Sequence, residues 1–351
     1  MYAEFYSLTG LPFQLTPDPR FFFGSSEHNR AMAHLTYGID QGEGFIIITG
    51  DVGAGKTTLV DHLLSGLDPA GYVAAKVVTT QLRADDMLRM VAATFGVFSE
   101  GADKASLLKR IEEFLGATYV KGKRVLLVID ECQNLTIEAL EELRMLSNIV
   151  VRGTAPMQSI LLGQPQFRTI LGKPDLDQLR QRVTASYHLG PLNAAETRSY
   201  IEHRLTLVGW KHDPAFSESS FHEIYNRTGG IPRRINTLCS RLMLLCYLEE
   251  RHAIETSTVA QVAEELATEL GSVVATGVTS PAADDSPKEW PNPETASAVL
   301  PEQVLPKPAR GADFIELDKR ISRIEQSVTQ HDRAIRRALE IVVKYLNGAG
   351  A

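Results

Sequence analysis

One nonapeptide limits what this chain can become more than any other stretch: Gly50, Asp51, Val52, Gly53, Ala54, Gly55, Lys56, Thr57 and Thr58. It fits G-x-x-x-x-G-K-[ST], directly after the apolar run at residues 44–49 (GFIIIT) and ahead of a helical pattern over residues 57–67. Glycines let a backbone curl so that successive N–H groups point at phosphate oxygens, and the helix that follows adds the positive end of its dipole. In such a loop Lys56 neutralises the β and γ phosphates and the Thr57 hydroxyl ligates Mg²⁺. Residues 50–58 are thus a candidate triphosphate cradle, with ATP and Mg²⁺ the expected ligands.

A second apolar run, residues 124–130 (RVLLVID), closes on the carboxylates Asp130 and Glu131. At the carboxyl end of a strand, Asp130 is placed to hold Mg²⁺ through water. Glu131 is placed to orient or deprotonate the water that attacks the γ-phosphate. Ligands of an open parallel sheet gather at that edge, where the glycine-rich loop also lies. Gln164, just after the run at residues 157–163, is a candidate contact for the γ-phosphate or the water, or else a polar residue of a Gly-Gln-Pro turn. Arg180 and Arg182 precede the run at residues 184–189, and Arg233 and Arg234 open a later helix. An arginine across a subunit boundary stabilises charge developing on the γ-phosphate, and one in a lid senses bound nucleotide. Any one of these arginines taken alone reads as solvated surface charge.

The apolar runs at residues 44–49, 72–80, 124–130, 157–163 and 184–189 read as buried parallel strands. Helical patterns at residues 57–67, 85–95 and 137–147 lie between them. This alternation predicts an α/β fold, a parallel sheet flanked by helices on both faces. The strand at residues 72–80 separates the two phosphate motifs in sequence, which fits the additional-strand class of P-loop NTPases. After Pro191 the strands stop. Asn193 with Glu196 three residues on predicts a capping box, opening a helix through about residue 207. Further helical patterns follow at residues 218–227, 232–249 and 257–270. Residues 1–192 are therefore expected to form the nucleotide-binding domain, N-terminal segment included, and residues 193–270 a small all-helical lid domain.

Beyond residue 270 the pattern fails. Pro281, Pro287, Pro291, Pro293, Pro301, Pro306 and Pro308 sit among Ala, Ser, Thr and Asp, so residues 271–312 are expected to be a disordered linker. Residues 313–346 regain helical periodicity, with Phe314, Leu317, Ile321, Ile324 and Val328 at the 3-4-3-4 spacing of a coiled-coil seam. That helix is expected to self-associate or to bind a partner's helix, against the competing reading of a helix folded back on the core.

Charge narrows the partners. With 36 basic against 43 acidic residues the formal net charge is −7, which makes a protein that coats nucleic acid unexpected. Three cysteines, Cys132, Cys239 and Cys246, fit neither a disulfide framework nor a CxxC metal site and suit a reducing compartment. No apolar run approaches the roughly 18 residues that span a bilayer, and the first residues lack a secretory signal's pattern. A cytoplasmic protein is expected, peripheral to an inner membrane only through partners.

The combination GDVGAGKTT, VLLVIDECQNL, LLGQP, LRQRV and GGIPRRIN resembles AAA+ ATPases. More narrowly it is similar to the ExeA-like, general-secretion-pathway A group, and within that to the secretion ATPase found with exosortase (PEP-CTERM) and exopolysaccharide loci. Residues 5–23 (FYSLTGLPFQLTPDPRFFF), ELRMLSN and ASYHLGPL carry the narrower likeness, which spans about residues 1–270. The resemblance implies nucleotide contacts at residues 50–58 and magnesium and catalytic roles for Asp130 and Glu131. It implies sensor-1 and sensor-2 positions at Gln164 and Arg233, and an arginine finger at Arg182 with Arg180 in reserve. Cys132 stands where the family more often has alanine, either as a small structural residue or as a thiol that makes activity redox-sensitive. Nothing in the sequence matches the membrane span and peptidoglycan-binding tail of the longer members.

The expected function is thus an ATP-hydrolysing AAA+ motor or switch. It would form a homo-oligomeric ring, a hexamer for instance, and assist secretion or assembly of envelope exopolysaccharide or protein. The alternatives are a DNA-associated ATPase of the transposition type, whose core motifs are similar, and a nucleotide-gated scaffold with little turnover.

Overall fold

Nearly continuous apolar strands demand cover on both faces, and the computed structural model of the chain supplies it. The described residues are 2–16, 18–78, 84–98 and 101–269; the expected linker at 271–312 and helix at 313–346 lie outside them. Strands β1 (Phe45–Gly50), β2 (Tyr72–Val78), β3 (Arg124–Asp130), β4 (Met157–Gly163) and β5 (Val183–Leu189) form one wholly parallel sheet in the order β2-β3-β4-β1-β5. Alternate side chains enter different cores. Phe45, Ile47, Leu127, Ile129 and Leu161 face one way, and Ile46, Ile48, Leu126, Val128, Ile160 and Leu162 the other.

After a single turn at Tyr2–Phe5 (α1), helices α2 (Ser26–Gln41) and α3 (Lys56–Gly66) cover the second face through Ala31, Leu35, Ile39, Leu59 and Val60. The first face is covered by α4 (Ala84–Thr94), α5 (Lys104–Val120), α6 (Ile137–Leu146), α7 (Pro165–Leu171) and the short α8 (Asp177–Arg180). Helices α2 and α5 have no counterpart in the sequence reading, although each has a side-chain cap. Ser25 accepts from the His28 N–H, and Asp103 from that of Ser106.

The two phosphate motifs are separated by one strand in sequence and by another in the sheet. The strand at residues 72–80, which separates the two phosphate motifs in sequence, ends at Val78 among the described residues and lies at the sheet's edge. The strand that separates them in space is β4, which enters between β1 and β3 after both are made. This crossover sets Gln164, the residue after β4, between the glycine-rich loop and Asp130-Glu131.

The lid unit follows at α9 (Ala194–Leu207), α10 (Glu218–Thr228), α11 (Pro232–Leu248) and α12 (Thr256–Glu269). It also contains a two-residue parallel pair, β6 (Ala215–Phe216) and β7 (Ala253–Ile254), beside its helices. The capping box forms as the spacing requires, with Asn193 Oδ1 accepting from the Glu196 N–H at 2.8 Å and Glu196 Oε2 from the Asn193 N–H at 3.1 Å. The other oxygen of Glu196 accepts from the Ser26 N–H at 2.7 Å, so one carboxylate caps α9 and joins it to the start of α2. Burial opposes the charge on Glu196, but these bonds outweigh it and hold the carboxyl below its ordinary range.

The N-terminal segment belongs elsewhere than its place in the sequence suggests. Tyr2, Tyr6, Leu8 and Phe13 are buried in the lid's core with Tyr200, Ile201, Leu205 and Leu242 rather than in the α/β domain. Tyr6 Oη donates to the Arg251 carbonyl at 2.9 Å and the Thr9 N–H to that of Val208 at 2.9 Å. An expected domain of residues 1–192 is thus corrected: residues 2–13 complete the helical unit, whose four helices leave apolar surface that these aromatic rings cover. Truncating a ring as buried as Phe13 costs about 3–5 kcal/mol.

Candidate active site

The loop after β1 closes on itself as a phosphate cradle does. Gly53 and Gly55 take φ of +83° and +102°, conformations open to glycine. Both are also crowded: a Cβ on Gly53 would lie 2.4 Å from that of Arg233, and one on Gly55 2.7 Å from His28 Nε2. Lys56 opens α3 and folds back, its ammonium donating to the Gly50 and Asp51 carbonyls at 2.7 and 2.9 Å. Burial lowers the Lys56 pKa below the ordinary ammonium value, against the pull of Glu131, Asp130 and Asp51. A buried cation curled inside a loop of backbone N–H groups suits a polyphosphate.

The tip of β3 meets this loop. Thr57 Oγ1 donates to Asp130 Oδ2 at 2.7 Å, and Asp130 Oδ1 accepts from the Glu131 N–H at 2.9 Å. A hydroxyl and a carboxylate in contact are hard oxygen donors, a set that fits Mg²⁺, which commonly takes one or two protein oxygens and completes its shell with water and phosphate. Glu131 turns the chain in the left-handed region, φ +56° and ψ +41°, a conformation costing about 1 kcal/mol or more outside glycine. Its carboxylate accepts from Gln164 Nε2 at 3.1 Å and from Gln133 Nε2, while the Gln164 N–H donates to Gln133 Oε1 at 3.0 Å. Gln133 therefore belongs to the site, although the sequence reading singled out only the run that contains it.

The lid closes the cleft from above. The Arg233 N–H donates to the Gly53 carbonyl at 3.2 Å, and Arg233 lines the cleft, whereas Arg234 does not. Other lining residues had no motif to announce them. Residues 14–16 and 18–23 line the opening as a strap in which three successive phenylalanines grip different partners. Phe21 carries the guanidinium of Arg204 at 4.5 Å, Phe22 stacks on His62 with ring centres 4.0 Å apart, and Phe23 meets Tyr200 edge-on. Arg204, though buried, takes neutral partners: it donates to the Pro12 carbonyl and to Tyr200 Oη, which in turn donates to Asn236. His28 is wedged below, bonded to Ser25 and to the backbone of Ala54, and burial keeps its pKa below the ordinary value. The cleft measures about 340 Å³ and is bounded by phosphate loop, strap and lid, within the roughly 300–1,000 Å³ of small-molecule sites.

The structure thus brings together Lys56, Thr57, Asp130, Glu131, Gln164 and Arg233. It does not bring Arg182 to them. Arg182 lies beside Phe45 at the start of β1, its carbonyl accepting from the Phe45 N–H at 2.9 Å. The loop begins five residues further along that strand, roughly 17 Å away. Arg180 is held by the Leu171 carbonyl at 2.9 Å and by Asp177, while Arg182 is exposed and its guanidinium reaches Ser147 at 3.3 and 3.5 Å. Cys132 is fully buried, its Sγ donating to the Ile129 carbonyl at 3.2 Å. Burial, with the charge of Asp130, pushes that thiol far up. A redox-sensitive thiolate is not what this position provides; Cys132 fills the core behind the strand tip.

Comparison with known proteins agrees with this geometry. An AAA domain matches residues 39–171. General secretion pathway protein A of Aeromonas hydrophila is 34% identical over 267 residues, 76% of this chain and 48% of that protein, so the chain spans about half the length of this curated relative. Among solved structures, the Aeropyrum pernix ORC2 protein in its ADPNP-ADP complexes superposes with a TM-score of 0.57 at 18% identity, over 72% of this chain and 71% of that one. Cdc6p of Pyrobaculum aerophilum gives 0.57 at 14% identity, over 72% and 70%. No helix among the described residues is long and apolar enough to cross a membrane. The parallel sheet with its inserted fourth strand, the glycine-rich loop and the helical lid are accordingly the AAA+ form of the P-loop NTPase fold, in a chain similar in sequence to General secretion pathway protein A.

Proposed function

We propose that this chain binds ATP with Mg²⁺ and hydrolyses it as a homo-oligomeric ring, a motor or switch for secretion or for assembly of envelope exopolysaccharide or protein. The observation that carries the reading is the contact of Thr57 with Asp130 at 2.7 Å, with Glu131 and Gln164 bonded beside it. Lys56 and the loop amides bind the β and γ phosphates, and Thr57 and Asp130 hold the metal. Bound there, the metal neutralises charge on the phosphates. Glu131 orients the attacking water and takes its proton, Gln164 steadies water or γ-phosphate, and Arg233 reports the nucleotide to the lid.

Arg182 faces away from its own cleft, so its part is to complete the site of the next subunit in a head-to-tail ring, of six for instance. The likeness to a general secretion pathway protein supports a role in export. Motifs shared with ATPases of exosortase and exopolysaccharide loci support polysaccharide as the cargo system, and partners would bring the chain to the inner membrane. Lys56→Ala is expected to abolish ATP binding and phosphate release. Glu131→Gln is expected to bind ATP as tightly as the unaltered chain while phosphate release falls about a hundredfold or more. Unchanged phosphate release in both variants would refute the site.

A further inference from the structure

Residues 130–135 (DECQNL) carry a side chain that the reading above leaves without a task. Gln133 sits in the single 3₁₀ turn Cys132–Asn134, and its amide turns back over the tip of β3. Both ends of that amide are occupied: Oε1 accepts from the backbone N–H of Gln164 at 3.0 Å, and Nε2 donates to Glu131 Oε2. A backbone N–H can only donate and a carboxylate only accept, so the amide between them has one possible orientation. Gln164 Nε2 donates to the same carboxylate oxygen at 3.1 Å. Two glutamines thus converge on one oxygen of Glu131, and one of them also binds the backbone of the other.

From this closed triangle we infer that Gln133 is the positioning residue of Glu131. Glu131 sits on a left-handed turn, and its carboxylate ends a side chain with three rotatable bonds, so hydrogen-bond partners set its orientation. Gln133 fixes the plane of that carboxylate and ties it to the tip of β4, where Gln164 stands. The base and the γ-phosphate contact then move as one body, although they come from different strands and lie 33 residues apart in sequence. Gln133 itself is directed at Glu131 and Gln164 and not at the phosphates, so its loss should weaken the chemical step and spare nucleotide binding.

The inference rests on hydrolysis by the Glu131 site, so the full-length unaltered chain is assayed in parallel. Gln133→Met keeps the length and removes both hydrogen bonds. It is expected to lower kcat about 10–100-fold while KM and the Kd for ATP with Mg²⁺ stay within about twofold. Gln133→Glu keeps the acceptor for Gln164 but sets a second carboxylate against Glu131. It is expected to lower kcat further than Gln133→Met does, with KM and the Kd for ATP with Mg²⁺ again within about twofold. A structural role alone would not separate kcat from ATP affinity in this way. Unaltered kcat in a folded Gln133→Met chain overturns the inference and leaves the ATPase reading standing, as does a loss of ATP affinity in step with kcat. Should Gln133→Met not fold, Gln133→Glu decides, and an unaltered kcat, or a loss of ATP affinity in step with kcat, overturns it. No turnover in the unaltered chain overturns both.

Discussion

The two ends of the sheet are built on opposite plans. At its carboxyl edge the polar groups are bonded to one another within the chain: Lys56 to the loop carbonyls, Thr57 to Asp130, Glu131 to both glutamines. At its amino edge Arg182 stands exposed, beside a groove of about 630 Å³ lined by Glu43, Arg144, Gln178 and Gln181, and touches Ser147 only at 3.3 Å and beyond. The neighbouring Arg180, two residues earlier, is pinned by carbonyls and Asp177. A preorganised site needs its groups fixed before the ligand arrives, whereas a group meant for a neighbouring molecule has to be left reachable. One edge is closed within the single chain, and the other, on the proposed reading, is left for a neighbouring subunit.

The sharpest way to break this contrast is Arg182→Ala. If the amino edge serves a neighbour, phosphate release should fall about 10³–10⁵-fold, and mixing with Lys56→Ala subunits should restore it, because each variant then supplies what the other lacks. Inactive mixtures that still co-assemble would mean that Arg182 serves no neighbouring site. A smaller effect is expected at the junction of the two units. Glu196→Ala should cost about 1–3 kcal/mol in urea unfolding at pH 7, through loss of its bonds to Ser26 and Asn193. The sign with pH follows from the lowered pKa of Glu196: the stabilisation is present above the ordinary glutamate range near 4.3 and fades as the pH falls through the lower native value. The gap between the unaltered and Ala chains should therefore close in acid. The smallest effect belongs to Arg180→Ala, expected to shift stability by at most about 1 kcal/mol and turnover by less than about threefold. A collapse of turnover with Arg180→Ala and none with Arg182→Ala would exchange their roles.

The difference between the edges also explains what could be read from residues alone. The loop at residues 50–58 and the pair Asp130-Glu131 announce themselves because phosphate and metal chemistry demands fixed residue types at fixed spacing. Strand periodicity placed β3 and β4 to the residue, since buried parallel strands are apolar throughout. Sheet order was less legible: the strand at residues 72–80 separates the two phosphate motifs in sequence without lying between them in the sheet, and only the crossover of β4 shows how Gln164 reaches Glu131. The strap was visible as a family signature without a physical role. Phe21, Phe22 and Phe23 stand within that signature, but their partners Arg204, His62 and Tyr200 are distant in sequence and follow no periodic rule. Gln133 was hidden for a similar reason, because an amide in a turn is ordinary until its two partners are seen.

The lodging of Tyr2, Tyr6 and Phe13 among α9, α11 and the residues around Val259 and Val262 bears on biosynthesis. A ribosome releases those aromatic rings before the helices that shelter them, which follow 181 to 260 positions later. Until then the strap has no far anchor, and the nascent sheet can close around β1 to β5 with its cleft unroofed. The order of translation therefore builds the phosphate loop before its cover, and the covered cleft becomes available only once the later helices have closed over these earlier rings.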